Sequence, residues 1–240
     1  MPKAFLIDTT RCTACRGCQI ACKEWNALTP LETKQTGTHQ NPPDLNPESY
    51  KVVRFSEHRI GGVVQWYFFP DQCRHCLIPP CQEVANGYVD GAVVQDGKTG
   101  AVLYTDLTAR LSTDQFQEMR EACPYDIPRR DSGTGLVSKC TMCIDRLQKN
   151  LLPMCVKTCA MGAMNFGDRD DMLALARTRL EQVRPKFPRA SLADPDDVNV
   201  IYLLADEPKR LHEHAVAQGP SPLNRKEFLA LFTRPLRSRA

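Results

Sequence analysis

Nothing in this sequence is apolar for long enough to cross a bilayer. Its best apolar runs, residues 63–69 and 198–205, fall far short of the roughly 20 residues a spanning helix needs. The apolar stretch within residues 1–8 is too short for the core of a cleavable leader, so the chain is expected to carry no export signal of its own. A paired acid and base, a nucleophile with its activating partner, and a phosphate-cradling glycine loop are also missing. Gly61-Gly62 and Gly133-x-Gly135 are too short to count as nucleotide sites. Those gaps argue against bond-making chemistry by the chain alone. Charge of one dominant sign is lacking as well: 31 Lys and Arg stand against 28 Asp and Glu, a formal +3. Apolar residues at 42% and charged residues at 25% are ordinary for a globular chain.

What the chain has in excess is cysteine, 12 in 240 residues. Four of them form Cys12-x-x-Cys15-x-x-Cys18-x-x-x-Cys22, the spacing by which bacterial ferredoxins hold a cubane [4Fe–4S] cluster. Three cysteines on one tight loop reach three irons of one cube. The fourth, a helical turn further on, faces a different cube. This run therefore requires a second cluster elsewhere. A disulfide framework is the bland alternative, but four cysteines so close together cannot each staple a chain of this length. A zinc site prefers two C-x₂-C pairs across a longer gap. Iron also changes the charge: with twelve thiolates and three cores of about +2 each, the formal +3 becomes about −3. The apparent basicity is no argument for nucleic-acid binding.

In chain order, residues 3–8 predict a short strand feeding the first loop, and residues 18–28 a short helix. Residues 29–49, with Pro30, Pro42, Pro43 and Pro47, read as a surface loop. Residues 50–57 and 63–69 read as a hairpin delivering Cys73-x-x-Cys76 and Cys81; residues 92–95 and 101–104 read as a second hairpin. Ser112-x-x-Gln115 is a capping box opening a helix through Ala122, ahead of Cys123-Pro124. Cys140-x-x-Cys143 and Cys155-x-x-x-Cys159 form the last group. Residues 170–183 predict a helix, residues 198–205 a strand, and residues 209–218 and 224–232 helices. Arg234, Arg237 and Arg239 fall in a terminal tail.

The rule of three cysteines from one motif and one from its mate divides the twelve without remainder. Cys12, Cys15, Cys18 and Cys159 make one set, and Cys140, Cys143, Cys155 and Cys22 the next. Cys73, Cys76 and Cys81 take the only cysteine left, Cys123. Three [4Fe–4S] clusters follow. Arg11, Arg16, Lys23, Arg74, Lys139 and Lys157 lie within two residues of these cysteines and are either potential-tuning cations or solvated charges. His75 is expected to pack or hydrogen-bond rather than ligate, since the cysteine sets are complete. Trp25 and Trp66 are expected as core or interface anchors. His212 and His214 have no partner pattern.

These residues resemble the ferredoxin-type electron-transfer subunits of molybdopterin and tungstopterin oxidoreductases. The similarity runs over residues 3–167. It rests on Thr10-Arg11-Cys12-Thr13-Ala14-Cys15-Arg16-Gly17-Cys18, Ala21-Cys22-Lys23-Glu24-Trp25-Asn26, Cys73-Arg74-His75-Cys76 with Pro79-Pro80-Cys81, Ala122-Cys123-Pro124-Tyr125-Asp126-Ile127-Pro128-Arg129 and Cys140-Thr141-Met142-Cys143. The family pattern has a fourth cube. Its four ligand positions fall here on Ala85, Thr113, Phe116 and Met119, so one whole cluster is deleted while three keep full sets. In this the chain is most similar to the β-type subunits of soluble formate dehydrogenases.

The resemblance implies an α+β fold of two ferredoxin-like modules. Residues 1–49 with 136–167 would hold two clusters, and the inserted residues 50–135 one. Residues 168–240 would add a helical extension. It further implies a large catalytic partner carrying a tungsten or molybdenum pterin, formate/CO₂ interconversion there, and an external electron acceptor such as a multihaem cytochrome c. A periplasmic site, reached by export of the folded complex on the partner's leader, is the expectation, with the cytoplasm as alternative. Partners that reduce nitrate, polysulfide or sulfoxide would use the same relay. A zinc-stapled binding module is the reading from another class.

Overall fold

The computed structural model describes residues 2–217. Residues 224–232 and the arginines of the tail lie outside that range. The first strand, β1 (Lys3–Asp8), leads into the first cysteine loop and the helix α1 (Gly17–Trp25). Residues 29–49 form neither helix nor a named strand and reach the long hairpin β2 (Val52–Ile60) and β3 (Val63–Asp71), turned at Gly61-Gly62, both with positive φ. Next come α2 (Pro80–Tyr88), the short hairpin β4 (Val93–Gln95) and β5 (Val102–Tyr104), a 3₁₀ turn at Asp106–Arg110, and α3 (Thr113–Glu121). Ser112 and Gln115 close both bonds of the expected capping box. A two-residue ladder, β6 (Arg129–Arg130) with β7 (Val137–Ser138), precedes two single-turn helices, α4 (Ile144–Leu147) and α5 (Met154–Lys157). The described chain ends through β8 (Met164–Asp168), α6 (Arg169–Val183), β9 (Ser191–Ala193), β10 (Val200–Leu204) and α7 (Pro208–Leu211).

One sheet organises the rest, in the order β8-β1-β10-β9. Within it β1 pairs antiparallel with β8 and parallel with β10. A strand flanked on both edges and covered on both faces must be apolar throughout, and Ala4-Phe5-Leu6-Ile7 is fully buried. Its alternation sorts two cores. Ala4 and Leu6, with Ile201 and Leu203, pack on Leu173 and Ala176 of α6. Phe5 and Ile7, with Val200 and Tyr202, face Cys18, Cys155, Val53 and Phe69. The sheet thus screens one flank with a helix and offers the other to cysteines.

The C-terminal extension is mixed and not wholly helical: the expected helix is α6, which covers one face of the sheet, while β9 and β10 join the sheet itself, with β10 beside β1. The expected helix over residues 209–218 is the four-residue α7; it stops because His212 turns extended, its ring 5.6 Å from Phe69, and Ala215 and Val216 then pack on the sheet core. Packing runs across residue 50: Val53, Tyr67 and Phe69 of the hairpin join the cluster of Phe5 and Tyr202. An apolar hairpin packs where a face is open to it, whatever its place in the chain. The mixed α and β character holds.

Candidate metal centres

The first C-x-x-C loop of each cysteine group bends in the same way. The residue just before the second cysteine is left-handed: Ala14 (φ 53°), His75 (φ 47°) and Met142 (φ 59°). Non-glycine residues adopt this conformation at a cost of about 1–2 kcal/mol. The bend aims a backbone N–H at the first sulfur of each loop. His75 N–H donates to Cys73 Sγ at 3.3 Å and Met142 N–H to Cys140 Sγ at 3.4 Å. The N–H of Ala14 does the same for Cys12. Such donors stabilise an anionic sulfur.

The elements then gather the twelve thiols, all free of disulfides, into three neighbourhoods. Helix α1 carries Cys18 and Cys22 one turn apart. It packs against α5, which carries Cys155 and is followed by Cys159. Cys12 and Cys18 feel the charge of Cys159, and Cys18 that of Cys15. Cys22 instead feels Cys140, Cys143 and Cys155. Cys76 feels Cys73, Cys81 and Cys123. Those last four also line a single apolar pocket with Val102, Tyr104 and Ile127. The neighbourhoods adjoin in a row, since Cys155 of the second reaches Cys18 of the first, and Cys140 of the second reaches Cys73 of the third.

Burial raises the thiols: Cys12 is pushed up to about 11, and Cys123, Cys140 and Cys155 to about 12. Iron binding has to displace the protons of these thiols. Four soft donors per neighbourhood, with N–H groups at the sulfurs and apolar walls, fit a [4Fe–4S] group. Among the described residues, no three His, Cys, Asp or Glu side chains converge on a single-ion position. A cube spreads its donors more widely, one cysteine to each iron.

Three of the four non-cysteine positions meet at the α2–α3 contact. Ala85 and Met119 are fully buried, and Phe116 packs with them beside Cys81, Ala92 and Leu111. Thr113 is exposed at the start of α3. Ala85, Phe116 and Met119 are thus taken up by apolar packing between the two helices.

Of the flanking cations, Arg74 and Lys139 are buried. Arg74 pairs with Asp71 at 2.9 Å and lies against the rings of Phe69, Tyr125 and Tyr202. Arg11 pairs with Asp8 at 3.4 Å, Arg16 and Lys23 donate to loop carbonyls, and Lys157 is exposed. His75 accepts the N–H of Val102 at Nδ1, 3.0 Å away, and burial holds it neutral. Neither tryptophan is buried: Trp25 donates to Asp145 under the guanidinium of Arg146, and Trp66 stands near His39. His212 approaches Asp71 at 3.7 Å, and His214 lies beside His212. Sequence reading missed Lys51. It is 2% exposed and lies among Cys18, Cys140 and Cys155, all more than thirty residues away, so no spacing signal exists for it. Among the described residues no helix is long and apolar enough to cross a membrane.

Comparison with known proteins adds the family. A family described as 4Fe-4S dicluster domain matches residues 64–169, which hold the cysteines from Cys73 to Cys159. Formate dehydrogenase 2 subunit beta (cytochrome c-553) of Nitratidesulfovibrio vulgaris is 58% identical over 216 residues, 90% of this chain and 99% of that protein. Formate dehydrogenase subunit beta of Megalodesulfovibrio gigas is 50% identical over 217 residues, 90% of this chain and all of that one. The formate dehydrogenase-O iron-sulfur subunit of Escherichia coli is 35% identical over 240 residues, 97% of this chain and 77% of its own length.

Proposed function

Because this chain belongs to the iron–sulfur (beta) subunits of formate dehydrogenases, we propose that it relays electrons between a pterin-metal catalytic subunit and an external acceptor, through three [4Fe–4S] clusters. A bound cube takes up and releases one electron with little change in its bonds. The chain's own residues supply everything around that chemistry. Cys12, Cys15, Cys18 and Cys159 would hold the first group, Cys22, Cys140, Cys143 and Cys155 the second, and Cys73, Cys76, Cys81 and Cys123 the third. The observation that carries the reading is the row itself: three sets of four sulfurs, each in electrostatic reach of the next.

The number three is supported by the apolar filling around Ala85 and Met119. Formate is supported by the names of the relatives. A cytochrome c acceptor rests on the name of the Nitratidesulfovibrio vulgaris relative. The metal of the partner is tungsten or molybdenum. The periplasm is the proposed compartment, reached with the partner; fractionation of cells followed by immunodetection checks it. The decisive experiment is iron and acid-labile sulfide analysis of the complex with low-temperature EPR. About twelve irons per chain are expected, and about eight in Cys123→Ala, with the signals of the other two cubes kept. Colourless protein containing zinc, or a copurifying large subunit that ignores formate, would overturn the reading.

A further inference from the structure

Among the described residues, Lys51 and Lys139 are the two buried lysines, and each stands at a junction of the cysteine row. Lys51 feels Cys12 and Cys18 on one side and Cys22, Cys140, Cys143 and Cys155 on the other. Its ammonium is held by the side chain of Gln72 and, at 3.5 Å, by the carbonyl of Pro70. Lys139 precedes Cys140 and donates to its carbonyl at 3.0 Å, and also to Val102 O. Its Nζ lies 4.6 Å from the ring centre of Tyr104, whose hydroxyl donates to Cys81, and Cys81 feels the lysine's charge.

We propose that these two lysines are fixed positive spacers, one per junction, each raising the reduction potential of the two clusters it separates. The inference rests on the relay reading above. The physical ground is that each electron added to a cube increases negative charge in a low-dielectric interior, where a nearby cation is weakly screened. A cation between two cubes favours the reduced form of both and lessens the repulsion of an electron on one for an electron on the next. A lysine in the core is otherwise expensive, and two at equivalent places in one row are explained by the sulfurs they serve.

The test is an EPR-monitored redox titration of the purified complex, with dithionite supplying one electron per cube, on Lys51→Met and Lys139→Met. Each variant should keep wild-type iron and lower two couples by at least tenfold in the one-electron equilibrium, about 59 mV. The third couple should stay in place. One couple, that of the second cluster, should move in both variants, while the two end couples each move in one. Lys→Arg at either position should restore most of the shift. Lys51→Gln and Lys139→Gln, which keep a donor without the charge, carry the test where a methionine variant loses iron. Three wild-type couples that neither lysine moves, or the same pair moving in both variants, would overturn this inference alone. A wild-type complex without iron and sulfide would overturn the relay reading and this inference with it.

Discussion

Asp71 shows how a single residue holds the cysteine scaffold. It is fully buried, yet its carboxylate is kept below the usual range, because Arg74 and Arg54 outweigh the burial that would raise it. Removing one partner of a buried pair strands the other charge. Asp71→Asn is expected to cost about 3–5 kcal/mol, read as a lower urea midpoint for loss of the cluster chromophore. His212 beside it gives a pH dependence. Burial first, and then Arg54 and Arg74, push it down to about 4 against the pull of Asp71. The folded state therefore resists protonation that the unfolded chain accepts near 6.5. Its contribution is complete above pH 6.5 and is lost as pH falls from 6.5 towards 4, at most about 3 kcal/mol. Unfolding free energies at pH 7.5 and 5.5 should differ less in His212→Gln than in the native chain.

Elements divide into those that hold cysteines and those that fill space. Helices α2 and α3 pack through Ala85, Phe116 and Met119, where the family pattern has ligands. Met119→Ala should leave a cavity costing about 2–5 kcal/mol without lowering the iron content, since the helix pair supplies packing to the third site and no sulfur beyond Cys81. Loss of iron together with stability would mean that this contact shapes the cysteine loops directly. The capping box at the start of α3 is a smaller case: Ser112→Ala should cost about 1 kcal/mol in thermal unfolding. Helix α1 differs in kind. Its one-turn spacing sends Cys18 and Cys22 to different neighbourhoods, so it joins two of them through a single rigid turn.

For the whole molecule, strand order sets the frame. Strand β1 delivers the first cysteine loop and takes its neighbour, β10, from nearly two hundred residues away. A chain ended after Val183 loses β9, β10 and the apolar cover of β1, leaving an open hydrophobic edge. Such a truncation is expected to yield aggregated protein without the first two clusters, measured as iron per soluble chain. The buried guanidinium of Arg74 ties the parts together. It sits among Phe69 of the hairpin, Tyr125 of the Cys123 loop and Tyr202 of β10.

Much of this was legible from residue order because its causes are local. A cubane motif is a spacing rule, a capping box spans four residues, and a hairpin needs two β-rich runs with glycines between them. Hence the cysteine groups, the α3 cap at Ser112 and the β2–β3 turn could be read directly. Placement of β10 beside β1, the packing of the hairpin on the sheet core, the shortness of α7 and the burial of Lys51 between two sulfur sets were not legible. Each arises from contacts between segments far apart in the chain, where burial and charge are properties of the assembled neighbourhood and leave no periodic mark on the residues that create them.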